Sequence, residues 1–311
     1  MTRHWASIGE AGVLSGLRIM AWIYRFLGRT VFNIVLVPVM LYFLLRRPLA
    51  RRASREFLER VWRRYPESLP RAPDLRMSFM HFFRFGQSLL DKYVAWMEPP
   101  TNIRMKNEER ELLFSVIDSG KGCLLVGSHF GNLEYSRGIA HRHPDLVINI
   151  LIYDQHAANF AELLTKSAPE SRLNLIQVTD LDLDLALRLR DKIDAGEWLL
   201  IAGDRVPLGE SGNVSPATFF GEKADFPIGP YVLGSLLRCP VYLMHCFNVD
   251  GEYRLDFELF AEEIRPSRAG TRRTYTKEVE AYSSALEAQV RKAPLQWFNF
   301  YDFWASGQED I

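Results

Sequence analysis

The residues with the clearest chemical potential in this sequence are a histidine and a glutamate five positions apart, His129 and Glu134. On one continuous α-helix that spacing turns the two side chains about 140° apart, so they would not face each other. They can converge if His129 lies on a loop and Glu134 in the first turn of a helix, where the helix dipole favours an ionised carboxylate. A carboxylate against an imidazole fixes the histidine tautomer and makes it a better general base. The pair therefore suggests proton transfer, although a surface histidine near a capping glutamate is the commoner origin of this spacing.

The stretch around this pair has the pattern of a strand, a tight turn and a helix. Cys123 to Val126 is an apolar run that predicts a buried strand, Gly127-Ser128-His129 predicts the turn, and a helix is expected from near Asn132. A second short apolar strand, Trp198 to Ala202, leads into Gly203-Asp204-Arg205. In an open parallel sheet, functional groups gather at the carboxyl ends of the strands. We therefore expect these two strand ends to open onto one cleft.

A third candidate is the loop predicted from Ala217 to Pro230, which mixes aromatic rings with glycines. Its phenylalanines are expected to line a groove for an apolar chain, and its glycines to let the backbone approach a ligand. Taken alone, such a stretch is more often an ordinary turn-rich loop. His141 and His143 have a spacing that can ligate metal, but no third ligand is evident, so we expect no metal site.

The composition bounds the class of protein. The 311 residues are 48% apolar and carry no net charge, which suits one large α/β domain or two small ones and argues against a nucleic-acid partner. Strands alternate with helices from residue 103 onward, which predicts a largely parallel sheet flanked by helices. Three cysteines fall in apolar runs without a CxxC pair, so we expect reduced, buried thiols. The predicted organisation is a helical, membrane-associating region at 1–100 and an α/β domain at 101–311.

The segment from Val31 to Leu45 is the most hydrophobic window of the chain and carries no charge. A straight span of the bilayer needs about 20 residues, and Pro38 interrupts this shorter run. Arginines on both flanks favour a segment that dips into one leaflet. A short single span and a buried core helix are the alternatives. The flanking arginines are Arg25, Arg29, Arg46, Arg47, Arg51 and Arg52.

His129-Phe130-Gly131-Asn132-Leu133-Glu134 is similar to the His-x4-Asp/Glu motif of glycerolipid acyltransferases. In its glutamate form, between a strand and a helix, it resembles the motif of the bacterial lipid A late acyltransferases, the lauroyl and myristoyl transferases. The order of the other features extends the resemblance over most of the chain. These features are the apolar N-terminal anchor, Asp204-Arg205, Phe219-Phe220-Gly221 and Gln296-Trp297. The opening, from Trp5 to Arg25, is similar to relatives from aryl-polyene or other specialised lipid pathways.

The resemblance implies a glycerolipid-acyltransferase-like fold and a membrane-associated enzyme. Such an enzyme moves a fatty acyl group from an acyl carrier protein or coenzyme A thioester to a hydroxyl of a lipid or glycolipid. It needs no cofactor and works at the cytoplasmic face of the inner membrane. His129 would be the general base and Glu134 would orient it, with Arg205 or a backbone amide stabilising the oxyanion. The residues implied in substrate binding are Asn132, Asp204, Arg205, Phe219, Phe220, Gly221 and Lys223.

Two departures separate this sequence from the lipid A enzymes. Where those enzymes carry an arginine-rich stretch after the second strand, this chain has Tyr153 to Asn159, and its tail from Trp297 to Trp304 lacks their paired arginines. A diphosphorylated lipid A acceptor is therefore in doubt. Two other functions stay open. One is a non-catalytic lipid-binding or assembly protein of the same fold, and the other is an acyl-thioester hydrolase in which water replaces the acceptor hydroxyl.

Overall fold

The computed structural model of the chain describes residues 11–97, 100, 102–143, 145–152, 173–178, 183–206, 213–269 and 272–305. Its helices, in chain order, are α1 (Ala11–Arg46), α2 (Pro48–Arg64), α3 (Leu75–Met97), α4 (Asn107–Asp118), α5 (Arg137–Arg142), α6 (Leu183–Asp194), α7 (Gly229–Leu237) and α8 (Thr276–Val290). Its strands are β1 (Cys123–Gly127), β2 (Ile148–Ile152), β3 (Leu173–Gln177), β4 (Trp198–Ala202), β5 (Val214–Phe219), β6 (Glu222–Pro227), β7 (Val241–Val249), β8 (Glu252–Ala261), β9 (Ser267–Ala269) and β10 (Arg272–Thr274). The stretch from Tyr153 to Asn159 and the helix predicted after it lie outside the described residues.

A six-stranded sheet in the order β3-β2-β4-β1-β7-β8 forms the centre of the α/β region. All its neighbours are parallel except the β7–β8 pair, which is antiparallel and is joined through Asp250-Gly251. The prediction of a mostly parallel sheet flanked by helices, preceded by an apolar N-terminal helix, is confirmed. The central strands read as continuous apolar runs because both of their faces are covered.

Buried side chains form a separate layer on each face of this sheet. Leu124 and Val126 of β1 belong to a cluster that includes residues of α2, α6, α7 and α8. Cys123 and Leu125 point to the opposite face, into a cluster that includes α4. The alternation follows from the two-residue period of a strand. All three cysteines are free and buried, as their apolar surroundings predicted.

The stretch predicted as a loop from Ala217 to Pro230 is instead mostly a β-hairpin, which corrects that prediction. β5 pairs with β6 around the two-residue turn Phe220-Gly221, and both turn residues have positive φ, 48° and 83°. Two-residue hairpins favour such turns because their twist matches that of the strands. The side chains of β5 alternate between buried and more exposed positions, so one face of the hairpin packs on the core. That two-residue alternation is the sequence pattern that predicts a strand, and the glycines and prolines of this stretch obscured it.

The apolar window near the N-terminus lies within α1, which continues through Pro38 and has non-helical backbone angles at Gly28. Phe32, Leu36, Met40 and Leu44 recur every four residues, are buried, and belong to one cluster with residues of α3. The segment Trp22–Arg46 is long and apolar enough to cross a membrane by length and composition, which alone is weak evidence of membrane association. Pro38, which interrupts the apolar run, lies inside this helix and does not end it.

Helix α2 links the N-terminal region to the α/β region. Phe57, Leu58 and Val61 are almost fully buried in the same cluster as the core of β1 and β4. Nε of Arg60 on this helix lies 2.8 Å from Oε2 of Glu222 at the start of β6. The division of the chain at residue 100 stays a prediction.

Candidate active site

The two predicted strand ends meet because β1 and β4 are neighbouring parallel strands in matched register. Gly127, the last residue of β1, pairs with Ala202, the last residue of β4. The ladder continues one step further, where the N–H of Gly203 donates to the carbonyl of Gly127 over 2.9 Å. The turns that follow then place His129 beside Asp204, so the two strand ends meet as expected.

His129 and Asp204 form a close pair. Nδ1 of the imidazole lies 2.8 Å from Oδ1 of the carboxylate, and the backbone N–H of His129 lies 3.0 and 2.9 Å from the two carboxylate oxygens. An ionised carboxylate only accepts hydrogen bonds, so Nδ1 carries the proton and Nε2 keeps a lone pair. The His129 side chain is 34% exposed, whereas that of Asp204 is fully buried. A histidine held in this way can take a proton from a group that approaches Nε2.

Asp204 is a buried carboxylate with several donors. The indole N–H of Trp297 lies 3.0 Å from its Oδ2, and the side-chain amide of Asn299 lies 3.4 Å from the same oxygen. Burial by itself raises the pKa of Asp204, but His129 and Arg205 outweigh it, so the pKa lies below the ordinary value of 3.8. Asp204 is therefore ionised at neutral pH.

The pKa of His129 is lowered from its ordinary value of 6.5. Burial is the largest cause, because it disfavours the charged ring, and the positive charge of Arg205 adds to it. Asp204 opposes both, since its negative charge raises the pKa. His129 is thus neutral at pH 7, in the protonation state that a general base needs.

Glu134 does not hold His129 in the structure. It lies in a 3-10 helix, Leu133–Ser136, where an α-helix was expected, and its Oε1 is 3.0 Å from Nζ of Lys92 on α3. Gly131 turns the chain with a φ of 73°, and a Cβ there would collide with the carbonyl oxygen of Cys246 on β7. That carbonyl accepts the N–H of Asn132. The turn is thereby held against β7, Glu134 faces α3, and Asp204 occupies the Nδ1 side of the histidine.

The other predicted substrate-binding residues occupy different surroundings. Phe219 and Phe220 are core residues, 0% and 3% exposed, and Phe219 reaches the site only by packing on Trp297 at 5.1 Å between ring centroids. Gly221 and Lys223 are exposed on the β5–β6 hairpin. Asn132 is buried directly after the turn. The structure therefore assigns the two aromatic rings to the core rather than to a groove.

Arg205 is turned toward the C-terminal segment. Its Nε donates to Oδ1 of Asn299 over 2.8 Å, and its Nη2 donates to the carbonyl of Phe298 over 2.7 Å. Sequence reasoning noticed Arg205 but not these partners, because no local pattern marks contacts across more than ninety residues. Trp297, Asn299 and Lys92 were missed as site residues for the same reason.

The described residues contain no group of three or more histidine, cysteine, aspartate or glutamate side chains arranged to hold a metal ion.

Most of the chain matches a known protein family. The family model described as bacterial lipid A biosynthesis acyltransferase matches residues 77–306, which include both strand ends and the C-terminal segment. None of the curated proteins compared with the chain matches it. The family match covers well over half of the chain and supports an acyltransferase that transfers an acyl group to a lipid. The chain therefore belongs to the bacterial lipid A biosynthesis acyltransferase family.

Proposed function

We propose that the protein is a membrane-associated O-acyltransferase in which His129 is the general base. The observation that carries this proposal is the bond between Nδ1 of His129 and the buried carboxylate of Asp204. It leaves Nε2 as the basic nitrogen of a neutral, partly exposed imidazole. The family match supports acyl transfer as the reaction.

The proposed reaction is one direct transfer. Nε2 of His129 takes the proton of the acceptor hydroxyl while the hydroxyl oxygen attacks the thioester carbonyl. The tetrahedral intermediate then expels the thiolate, which takes the proton from the imidazolium, so the products are an ester and a free thiol. Asp204 stabilises the imidazolium while it exists, and no nucleophile on the enzyme is required.

We propose Arg205 as the charge that stabilises the oxyanion. It follows Asp204 directly, and it is close enough to His129 to lower the pKa of that ring. Its bonds to Asn299 and to the carbonyl of Phe298 hold the guanidinium, and so its positive charge, at the end of β4 beside the histidine. Stabilisation of the developing charge is usually a large part of catalysis in acyl transfer.

Glu134 keeps a catalytic role in this proposal through its place in the same turn. Its Oε1 binds Lys92, and its Oε2 is buried without a hydrogen-bond partner among the described residues. A buried carboxylate oxygen without a partner carries a desolvation cost that a bound hydroxyl or amide would relieve. We propose that Glu134 receives such a group from the acyl donor or the acceptor.

The proposed donor is a thioester of an acyl carrier protein or coenzyme A, and the proposed acceptor is a lipid or glycolipid with a free hydroxyl. Asn132 and Lys223 stay proposed binding residues for these substrates. We propose a specialised lipid, such as an aryl-polyene lipid, as the acceptor, because the opening from Trp5 to Arg25 is similar to relatives from such pathways and the altered tail puts diphosphorylated lipid A in doubt. Comparing the lipids of cells with and without the intact gene tests this point, because the missing lipid names the acceptor.

We propose that α1 rests in one leaflet of the inner membrane, with the active site on the cytoplasmic side. Its outward face carries Ile34, Leu41 and Leu45, which are 65%, 45% and 59% exposed. Its opposite face packs against α3 over three turns. We therefore propose that α1 remains packed on the protein and does not cross the bilayer by itself. An apolar helix face flanked by arginines suits an interface of anionic lipids.

The test is transfer from a defined acyl carrier protein thioester to extracted membrane lipids by the purified protein and its His129→Ala variant. We expect the variant to bind vesicles and unfold at the same temperature but to lose transfer. Full transfer by His129→Ala would overturn the mechanism. Free fatty acid without lipid product would favour the thioester hydrolase, and no turnover by the unaltered protein with any lipid fraction would favour the non-catalytic alternative.

A further inference from the structure

The C-terminal segment 296–299 pairs with the turn that carries the histidine. The N–H of Gly131 donates to the carbonyl of Gln296 over 2.8 Å, and the N–H of Phe298 donates to the carbonyl of His129 over 3.0 Å. Phe130 and Trp297 form an antiparallel bridge between these two bonds. The segment thus acts as a short extra strand on the turn, and its side chains reach the second oxygen of Asp204.

The indole of Trp297 is held rigidly. It is fully buried, and it packs against Phe57, Phe219 and Phe303 with ring centroids 4.8, 5.1 and 4.9 Å away. A side chain packed on several sides keeps one rotamer. Its N–H is therefore fixed toward Oδ2 of Asp204, while Oδ1 is left for His129.

The backbone of Trp297 is held in turn by a buried histidine on α3. Nε2 of His81 donates to the carbonyl of Trp297 over 2.9 Å, and Nδ1 accepts the hydroxyl of Ser54 on α2 over 3.0 Å. Burial lowers the pKa of His81 to about 4, although the bond to Trp297 opposes this shift, so the ring is neutral at pH 7. A neutral ring has one N–H and one lone pair, which match these two partners.

We propose that Trp297 is a positioning residue for acyl transfer, which fixes the Asp204 carboxylate so that Oδ1 meets Nδ1 of His129. This inference rests on the proposed function. Without the indole N–H, the carboxylate is less restricted in rotation about its last side-chain bond. Oδ2 then keeps the longer bond from Asn299 and the bond from the His129 N–H, which Oδ1 also accepts. His81 supports the arrangement by fixing the backbone from which the indole projects.

The test compares Trp297→Phe with the matched control Trp304→Phe. Trp304 lies in the same aromatic cluster, is 4% exposed, and donates its indole N–H to the carbonyl of Phe219 over 3.3 Å. Both variants lose an indole N–H and keep a ring, but only the first loses a donor to Asp204. We expect Trp297→Phe to lower kcat about 10-fold to 100-fold, as for a hydrogen bond to a charged group, with little change in KM. Trp304→Phe should keep the kcat of the unaltered protein.

The pH dependence separates positioning from general damage. Since Asp204 raises the pKa of His129, a loosened carboxylate lowers that pKa and moves the acid limb of kcat/KM to lower pH. Partial unfolding lowers the amount of active enzyme and leaves the limb in place. An unchanged kcat, or a lowered kcat without that movement, overturns the proposal for Trp297. In either case His129→Ala still tests the proposed function independently.

If Trp297→Phe does not fold, Asn299→Ala gives the second test, because it removes the other side-chain donor to Oδ2 and no ring. It also removes one acceptor of Arg205, which keeps its bond to the carbonyl of Phe298. We expect a smaller fall in kcat, with the acid limb moved in the same direction. An acid limb identical to that of the unaltered protein would overturn the idea that donors to Oδ2 position Asp204.

Discussion

The segments that follow β1 and β4 each carry one carboxylate, Glu134 and Asp204, and the two carboxylates differ in their contacts. Asp204 is fully buried, contacts His129, and accepts further bonds from Trp297 and Asn299. The side chain of Glu134 is 20% exposed, is paired with Lys92, and keeps one oxygen without a partner. Asp204 thus already forms a hydrogen bond with the histidine, whereas Glu134 has an oxygen that can accept a further hydrogen bond. Under the proposed function, Asp204 orients the base and Glu134 receives a polar group of the substrate.

The largest expected effect comes from Asp204→Asn. Because Trp297 and Asn299 donate to the Oδ2 position, the new amide should direct its oxygen there and its NH2 toward Nδ1 of His129. The ring then carries its proton on Nε2 and cannot act as a base. We expect kcat to fall about 1,000-fold to 10,000-fold, as in a comparable histidine–aspartate pair.

The measurement is steady-state acyl transfer with Asp194→Asn on α6 as the control, since that exposed carboxylate pairs only with a neighbour on its own helix. Near-normal turnover by Asp204→Asn would contradict the role of Asp204 and would favour Glu134 as the carboxylate that orients His129.

A smaller effect is expected from Glu134→Gln. The glutamine keeps a carbonyl oxygen for a bound group and loses the charge that holds Lys92, so we expect kcat/KM to fall about 10-fold, the value of one hydrogen bond. The measurement is kcat/KM of Glu134→Gln and of Lys92→Met, determined with the same donor and acceptor. A loss by Glu134→Gln as large as that of Asp204→Asn would mean that the two carboxylates do not have separate roles.

The pH dependence gives a third test of the pair. His129 accepts a proton only when it is neutral, so kcat/KM should fall as pH drops through its pKa, and that pKa lies below 6.5. Arg205→Gln removes a positive charge that lowers this pKa, after the larger contribution of burial. We therefore expect its acid limb to move to higher pH. Arg188→Gln on the exposed face of α6 serves as the control and should leave the limb in place.

The smallest effect is expected at the bond that ties the two turns to α8. The hydroxyl of Tyr282 donates to the carbonyl of Gly127 over 2.7 Å, and that carbonyl also accepts the N–H of Gly203. Because the carbonyl keeps a partner, Tyr282→Phe should lower the free energy of unfolding by only about 0.5–1.5 kcal/mol. Chemical denaturation measures this. A large loss of turnover in a stable Tyr282→Phe protein would show that the two turns depend on α8 for their alignment.

Features set by local pattern were predictable from the sequence. The apolar runs of β1 and β4 and their glycine-rich ends were sufficient to anticipate a parallel sheet with two turns at one edge. The prediction of a loop from Ala217 to Pro230 was wrong because the glycines and prolines there masked the two-residue alternation of β5. Pro38 interrupts the apolar run in the sequence, yet α1 continues past it, with α3 covering that part of the helix.

Features set by long-range contact were not predictable in the same way. The nearness of Glu134 to His129 in sequence suggested contact, yet Gly131 bends the chain between them and Asp204 arrives from a neighbouring strand. Strand order was therefore a better guide to the partner of the histidine than sequence distance. The bond from Trp297 to Asp204 joins residues 93 positions apart, and no periodicity reports it.

The pairing of residues 296–298 with the histidine turn also has a consequence for synthesis on the ribosome. The turn is translated early, whereas the segment that holds it and fixes Asp204 emerges only after the sheet strands have been made. A nascent chain that already contains His129 and Asp204 thus has the reactive groups without the contact that aligns them. Activity should arise only with the docking of that late segment, so incomplete chains would not consume acyl thioesters.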